Sequence, residues 1–119
     1  MKVGLLGLGV VGDGVATHLI KDADSIEKQL GVRIVITKIL VRDLSKPRAD
    51  TIPYSLLTTN QNEILNSSEV DIIVEVMGGE QPASDYISEA IKSGKHVVTA
   101  NKEVMAKFGP DLLELAQQN

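Results

Sequence analysis

A glycine-rich segment near the amino end, Gly7-Leu8-Gly9-Val10-Val11-Gly12, constrains the fold of this chain more than any other feature. It follows a short apolar run, Lys2 to Leu6, that predicts a β-strand, and it opens a stretch of helical periodicity over 10–30. In this setting the first glycine permits a tight turn, the second lets the backbone approach a pyrophosphate, and the third lets the helix pack closely on the strand. The helix start adds unpaired N–H groups and a partial positive charge.

The segment therefore predicts a dinucleotide-binding turn, and the alternative is a glycine-rich turn of an α/β fold that holds no nucleotide. The predicted cofactor-binding residues in this segment are Gly7, Leu8, Gly9, Val10, Val11 and Gly12.

Strand and helix patterns alternate along the rest of the chain. Strands are predicted over 33–41, 70–77 and 95–99, with a short edge strand within 52–57 because proline is poorly tolerated in a central strand. Helices are predicted over 60–66, 82–92 and 102–107, and again from 110 onward. This alternation implies right-handed crossovers, so we expect an α/β fold with a Rossmann-type, doubly wound, mainly parallel sheet of five or six strands.

The composition fits a single domain with an aliphatic core. A length of 119 residues is enough for one domain and too short for two. With one Phe, two Tyr and no Trp, the core must consist of Val, Ile, Leu and Ala, which suit strands buried on both faces of a parallel sheet. The absence of cysteine excludes disulfides, thiolate metal ligands and cysteine nucleophiles.

Charge and hydropathy narrow the expected partners and location. The net charge of -4 argues against a nucleic acid partner, because phosphate backbones bind basic surfaces. No apolar run reaches the roughly 20 residues that cross a bilayer, and the start leaves no room for a signal peptide, so we expect a cytoplasmic protein without membrane contact. No metal site is expected, because His18 has no companion at ligand spacing.

The end of the second predicted strand bears on which dinucleotide is bound. Arg42 stands at this strand end, where its guanidinium could bind a 2′-phosphate, and Lys46 and Arg48 follow within seven positions. This basic cluster favours NADP. Asp43 is adjacent, however, and a shift of one residue would place its carboxylate on the ribose hydroxyls, as in NAD enzymes. NAD therefore remains an alternative to NADP as the bound dinucleotide. A second alternative is that the charged residues form a solvent-exposed loop that contacts no nucleotide.

Two later strands deliver further candidates to the carboxyl edge of the sheet, where ligands of such folds bind. Gly78 and Gly79 follow the strand 70–77, and Thr99, Asn101 and Lys102 end the strand 95–99. We expect the nicotinamide to lie beside these residues. Lys102 is a candidate proton donor or substrate-orienting group, and its alternative is a solvated lysine at a helix start.

Two other polar side chains in these strands have less specific interpretations. Glu75 is a carboxylate within a mainly apolar strand; it either accepts hydrogen bonds from backbone amides at the strand end or contacts the cofactor or another domain. His96 should lie early in its strand, away from the ligand edge, and is interpreted as structural.

The sequence resembles the homoserine dehydrogenase family along essentially its whole length. Four blocks carry the resemblance: VGLLGLG at 3–9 with Val11-Gly12, VRDLSKPR at 41–48, VDIIVEVMGG at 70–79 and GKHVVTANK at 94–102. The last two blocks, in this order and spacing, are much more specific than the glycine motif. The resemblance implies NAD(P)-dependent, reversible interconversion of L-aspartate 4-semialdehyde and L-homoserine, in the route to threonine and methionine. It also implies that Lys102 lies beside the nicotinamide and substrate.

Members of this family carry a substrate and dimerisation domain beyond this length. We therefore expect residues 1–119 to be a truncated NAD(P)-binding domain that binds cofactor without turning over substrate, in a parent that forms homo-oligomers through the missing domain. Two alternatives are the first domain of another amino-acid-pathway dehydrogenase and a free-standing NAD(P)-sensing regulatory module.

Overall fold

The computed structural model describes residues 1–119 and contains five strands and five α-helices. The strands are β1 Lys2–Leu6, β2 Val35–Leu40, β3 Leu57–Thr58, β4 Ile72–Glu75 and β5 His96–Thr99. The helices are α1 Val10–Lys21, α2 Ala23–Leu30, α3 Asn62–Leu65, α4 Ala83–Lys92 and α5 Lys102–Gln118. None of these helices combines the length and the hydropathy that crossing a bilayer requires.

All five strands run parallel in one sheet, in the order β3-β2-β1-β4-β5. β1 lies in the centre, and the chain moves outward from it through β2 and β3 before crossing back to β4 on its other side. This reversal creates a switch point between β1 and β4, where the loops that leave the two strands diverge and open a crevice. The predicted fold class and the parallel sheet are confirmed.

The core lies on both faces of the sheet, as the aliphatic composition predicts. Leu5 packs on one face with Ala16 of α1 and Ile39 of β2. Leu6, the next residue of β1, packs on the opposite face with Ile73 of β4 and Ala90 of α4. All six side chains are fully closed to solvent, and each large one stabilises the fold by about 1.5–3 kcal/mol relative to exposure.

The predicted single helix over 10–30 is wrong, because the structure has two helices that meet at Asp22. Asp22 leaves the helical conformation (φ -102°, ψ 21°), and its side chain pairs with His18 one turn earlier. Aspartate competes with the backbone for hydrogen bonds in helix interiors and favours their ends, which accounts for the break. The predicted stop at Gly31 is confirmed by its left-handed conformation (φ 79°).

The two helical segments predicted after residue 102 form one continuous helix, α5, with Pro110 inside it. A proline in a helix interior costs about 3 kcal/mol. Val104 and Leu112 lie on either side of Pro110 and pack into the same cluster with Ile87 and Ile91 of α4. Burial of the helical turns before and after Pro110 against α4 offsets the free-energy cost of the proline. Tertiary packing therefore overrides the helix end that the proline predicts.

The segment 52–57 contributes less strand than predicted. A 3₁₀ turn covers Tyr54–Leu56, and only Leu57–Thr58 pairs with β2, at the edge of the sheet. The edge position is confirmed. Pro53 precedes the turn and has no backbone N–H for a ladder, which keeps the strand short.

The glycine segment joins β1 to α1 through two close backbone contacts. Gly7 has φ +102°, a left-handed conformation that side chains rarely adopt, and a Cβ there would lie 3.2 Å from the backbone of Val76 and Met77. A Cβ on Gly12 would lie 2.5 Å from the carbonyl oxygen of Gly7. The first turn of α1 therefore packs directly on the end of β1, as the motif predicts.

We expect Gly12→Ala to lower the free energy of unfolding by about 1–3 kcal/mol, because the added methyl group overpacks against a backbone carbonyl. Gly14→Ala is the matched control in the same helix. A Cβ there meets nothing within 4 Å, so alanine should raise stability by about 1 kcal/mol through helix propensity. Urea unfolding followed by circular dichroism measures both, and equal stability of the two variants would contradict the packing.

Candidate functional site

A cleft of about 620 Å³ opens at the carboxyl edge of the sheet, beside the switch point between β1 and β4. This size is typical of sites for small ligands and cofactors. The residues that line it come from the ends of four strands and from α4: Gly7, Leu8, Gly9, Leu40, Val41, Arg42, Asp43, Lys46, Arg48, Thr59, Val76, Met77, Pro82 and Tyr86.

The amino terminus of α1 meets this cleft at the glycine segment. Gly9 is the N-cap residue and supplies no side-chain hydrogen bond, and a Cβ on it would meet nothing within 4 Å. The first N–H groups of this 12-residue helix therefore remain available, with open space in front of the backbone. Val10 and Val11 are exposed at the same helix start. The arrangement can bind an anion such as a pyrophosphate.

Two predicted basic residues line the other end of the cleft without internal partners. Arg42 and Lys46 are exposed, and neither forms a salt bridge within the chain. Asp43 lies between them, and its Oδ1 accepts hydrogen bonds from the Ser45 hydroxyl at 2.6 Å and the Ser45 N–H at 2.9 Å. The two bonds from Ser45, with weaker help from Arg48 and Lys46, lower the pKa of Asp43. The Arg42 guanidinium and an ionised Asp43 carboxylate thus both line the site.

Arg48 has a different role from the one its charge suggested. Its Nη1 donates to the carbonyl of Leu8 at 3.3 Å, and its Nη2 donates to the carbonyl of Asp43 at 2.9 Å. Its Nε is buried without a partner. Arg48 therefore ties the glycine segment to the charged loop after β2. Two free basic side chains remain in the cleft instead of three, which weakens the argument that the sequence makes for NADP.

Sequence reasoning missed seven lining residues, and a signal existed for most of them. Leu40 and Val41 form the end of the second predicted strand. Val76 and Met77 directly follow β4, and Thr59 directly follows β3, so the rule that ligands bind at carboxyl strand ends could have found all three. Pro82 and Tyr86 reach the cleft only because α4 packs beside β4, and no local pattern marks them.

The predicted residues after β4 and β5 are brought together by a second set of contacts. Asn101 donates from Nδ2 to the Gly79 carbonyl at 2.6 Å, which joins the Gly78-Gly79 turn to the end of β5. Thr99 donates from its hydroxyl to Glu75 at 2.5 Å and accepts from the Asn101 N–H at 3.0 Å. The polar groups of Thr99 and Asn101 are therefore used inside the protein.

Glu75 accepts a hydrogen bond from the backbone N–H of Met77 at 2.8 Å, as the first of its two sequence interpretations states. His96 is the first residue of β5 and is exposed at the amino end of the strand, away from the ligand edge. Both side chains are thus separate from the cleft wall.

Lys102 is the first residue of α5, directly after the N-cap Asn101, whose Oδ1 accepts from the Val104 N–H at 3.1 Å. The Lys102 side chain is exposed and forms no hydrogen bond or ion pair. It lies at the carboxyl end of β5 and outside the wall of the cleft. Its ammonium group is therefore available to a molecule that binds along the sheet edge.

We expect Ser45→Ala to raise the pKa of Asp43 toward the usual 3.8, because both the hydroxyl donor and the turn that it supports are weakened. The hydrogen bonds favour the ionised carboxylate, so their stabilisation is full above this usual value and is lost as the pH falls through the lowered pKa. NMR titration of the Asp43 carboxyl carbon measures the shift. Ser67→Ala, which removes a hydroxyl that accepts from the Glu69 backbone N–H and has no contact with Asp43, should leave it unchanged.

Comparison with known proteins supports the cofactor assignment. The family model described as homoserine dehydrogenase, NAD binding domain, matches residues 7–119. Homoserine dehydrogenase of Bacillus subtilis (strain 168) is 42% identical over 119 residues, which are 100% of this chain and 28% of that protein. The crystal structure of S. aureus homoserine dehydrogenase superposes with a TM-score of 0.92 at 46% identity, over 99% of this chain and 30% of that chain.

A hyperthermophilic archaeal homoserine dehydrogenase, solved in complex with NADPH, shares the fold at 22% identity with a TM-score of 0.77, over 99% of this chain and 41% of that chain. The chain spans 28% of the length of the B. subtilis homoserine dehydrogenase, which is less than a third of that protein. The resemblance found in the four sequence blocks is confirmed, and the family model identifies the domain as one that binds a nicotinamide dinucleotide. The chain belongs to the homoserine dehydrogenase family and is its NAD-binding domain.

Proposed function

We propose that residues 1–119 bind the nicotinamide dinucleotide within a longer homoserine dehydrogenase, which interconverts L-homoserine and L-aspartate 4-semialdehyde. The observation that carries this proposal is the cleft at the switch point, with an uncapped helix terminus at Gly9 and unpaired basic side chains at the end of β2. The chain spans 28% of its B. subtilis relative, and we assign the contacts between subunits and the substrate contacts other than that of Lys102 to the part of a longer parent that these residues do not cover.

The residues present fit an extended dinucleotide. Its pyrophosphate would bind at the segment from Gly7 to Gly12, because the helix amino terminus is open there and a Cβ on Gly9 would meet only empty space. Its adenosine ribose would lie near Arg42, and its nicotinamide near Gly78, Gly79 and Lys102. When bound, the nicotinamide ring accepts the hydride from the alcohol carbon of L-homoserine or returns it to the aldehyde.

The proposed cofactor is NADP in preference to NAD. Arg42 and Lys46 line the cleft without internal partners, so both can pair with a 2′-phosphate. An archaeal relative of the same fold binds NADPH. Asp43 opposes this preference, because its carboxylate stays ionised at neutral pH and repels a phosphate at close range. We therefore assign the preference to Arg42 and expect it to be moderate.

Lys102 is proposed to act on the substrate oxygen. Its ammonium group lies at the exposed start of α5, where it can donate a hydrogen bond to the hydroxyl or carbonyl oxygen of the substrate. In the direction of aldehyde reduction it would supply the proton as the hydride arrives at carbon, and in alcohol oxidation it would take the proton back.

In the full-length protein, Arg42→Ala should weaken NADPH binding by about 10- to 100-fold, because it removes a charge-assisted contact to the 2′-phosphate. NADH binding should change by less than about threefold, because NADH has no such phosphate. Isothermal titration calorimetry at matched salt measures both affinities. The result would contradict the proposal if both nucleotides lost affinity equally.

Two other arginine variants serve as controls for the effect of Arg42→Ala on the two affinities. Arg33 pairs with Asp24 and Glu27 far from the cleft, so Arg33→Ala should leave both affinities unchanged. Arg48→Met removes the contacts to Leu8 and Asp43, so it should weaken NADH and NADPH by similar factors.

Lys102→Met should lower kcat for L-homoserine oxidation by about 100- to 10,000-fold, because a positioned proton-transfer group is lost. Cofactor affinity should change by less than about threefold, since the contact is made with the reacting oxygen. Steady-state kinetics and calorimetry on the full-length protein separate the two quantities. Lys92→Met at the end of α4 is the control, and a loss of cofactor affinity equal to the loss of kcat would overturn the assignment.

A further inference from the structure

Glu75 is a buried carboxyl group that the proposed chemistry leaves without a role. It ends β4, and its register partners are Leu6 of β1 and Thr99 of β5. Its exposed fraction is 0%, so it cannot touch a cofactor in the cleft itself. Any effect of Glu75 on the site has to pass through the residues that it contacts.

Its contacts join three chain segments at the carboxyl edge of the sheet. One oxygen, Oε2, accepts from the backbone N–H of Met77 at 2.8 Å and, at a longer 3.4 Å, from Nδ2 of Asn101. The other oxygen, Oε1, accepts from the hydroxyl of Thr99 at 2.5 Å. The carboxyl group thus holds the start of the glycine turn and the end of β5 at once.

Asn101 extends these contacts to the first turn of α5. Its Nδ2 also donates to the Gly79 carbonyl at 2.6 Å, and its Oδ1 caps the helix by accepting from the Val104 N–H at 3.1 Å. Lys102 is the next residue. The chain of contacts from Glu75 through Asn101 therefore sets both the glycine turn and the direction in which the backbone enters Lys102.

Stability alone is a poor reason for a carboxyl group in this place. No cation lies among its hydrogen-bond partners, which are a backbone amide, a hydroxyl and an amide side chain. Burying a carboxyl group is costly, and apolar replacement of buried ionic groups is often neutral or stabilising. What an apolar side chain could not supply is the fixed geometry among three segments.

We propose that Glu75 is a positioning residue for the nicotinamide end of the site. Through Thr99 and Asn101 it fixes the position of the Gly78-Gly79 turn relative to Lys102. The nicotinamide carbon that exchanges the hydride and the lysine ammonium group would then keep a fixed distance and orientation. This inference rests on the proposed function, because the turn and Lys102 matter only if the nicotinamide and substrate lie between them.

The test compares Glu75→Gln and Thr99→Val in the full-length protein. Gln keeps the shape but loses one acceptor oxygen, and Val removes the hydroxyl at nearly constant volume. In both variants kcat for L-homoserine oxidation should fall by about 10- to 100-fold, the scale of a small misplacement of reacting groups, while the Kd of NADPH changes by less than about threefold. Thr99→Ser, which retains the hydroxyl, should recover most of the loss.

Thr58 supplies a matched control on the opposite edge of the sheet. Its hydroxyl donates to Glu63 at 2.6 Å and accepts from the Asn60 N–H at 3.1 Å, the same arrangement that Thr99 has with Glu75 and Asn101. Thr58→Val should lower thermal stability about as much as Thr99→Val and leave kcat within about twofold. Equal losses of kcat at Thr58 and Thr99 would mean general destabilisation and would overturn the inference, as would full activity of Glu75→Gln.

The fluorescence of bound NADPH separates this inference from the proposed function. If the wild-type protein binds NADPH but does not oxidise L-homoserine, the proposed substrate is wrong, and the nicotinamide emission of the binary complex still reports its surroundings. A changed emission in Glu75→Gln and Thr99→Val, but not in Thr58→Val, then supports the positioning role. Unchanged emission in all three variants rejects it, and absence of NADPH binding by the wild type rejects both proposals.

Discussion

The contact between the first turn of α1 and the end of β1 is the constraint on which the rest of the structure depends. Gly12 packs against the carbonyl of Gly7 so closely that a single Cβ would overlap it. This contact leaves the helix amino terminus at the switch point, and the surface at Gly9 remains open to an anion. A bulkier residue at either contact would push α1 away from the end of β1 and shift the helix amino terminus that faces the crevice.

The two ends of the proposed binding site differ in whether their polar side chains already have partners within the protein. After β2, where we propose that the adenosine binds, charged side chains such as Arg42 and Lys46 remain exposed and unpaired, so single substitutions can change recognition there at little cost to the fold. At the ends of β4 and β5, where we propose that the nicotinamide binds, Glu75, Thr99 and Asn101 form hydrogen bonds with one another and with the glycine turn, so each substitution disturbs several contacts. In the proposed function, cofactor preference and catalytic geometry would therefore depend on separate groups of residues.

Much of the fold could be predicted from local patterns, and the misses have physical causes. The strands β1, β2, β4 and β5 and the helix α4 follow from apolar runs, periodicity and glycine stops. The break at Asp22 was missed because apolar periodicity continues across it, and the continuity of α5 was missed because packing against α4 outweighs the proline at 110. For the site, the glycine segment and the strand-end residues could be predicted from the sequence, whereas the contact of Arg48 with Leu8 could not, because it joins positions 40 residues apart.

By itself, the sequence determined the fold class, the family and the residue types available at the carboxyl edge of the sheet, because each depends on local order and spacing. Only the tertiary structure decided which of those residues are free. It engaged Arg48 with two backbone carbonyls, left Arg42 and Lys46 open to the cleft, and enclosed Glu75 beneath the turn that it holds. A side chain's charge is a property of the sequence, but its availability is set by the distant groups that compete for its hydrogen bonds, and folding alone brings those groups together.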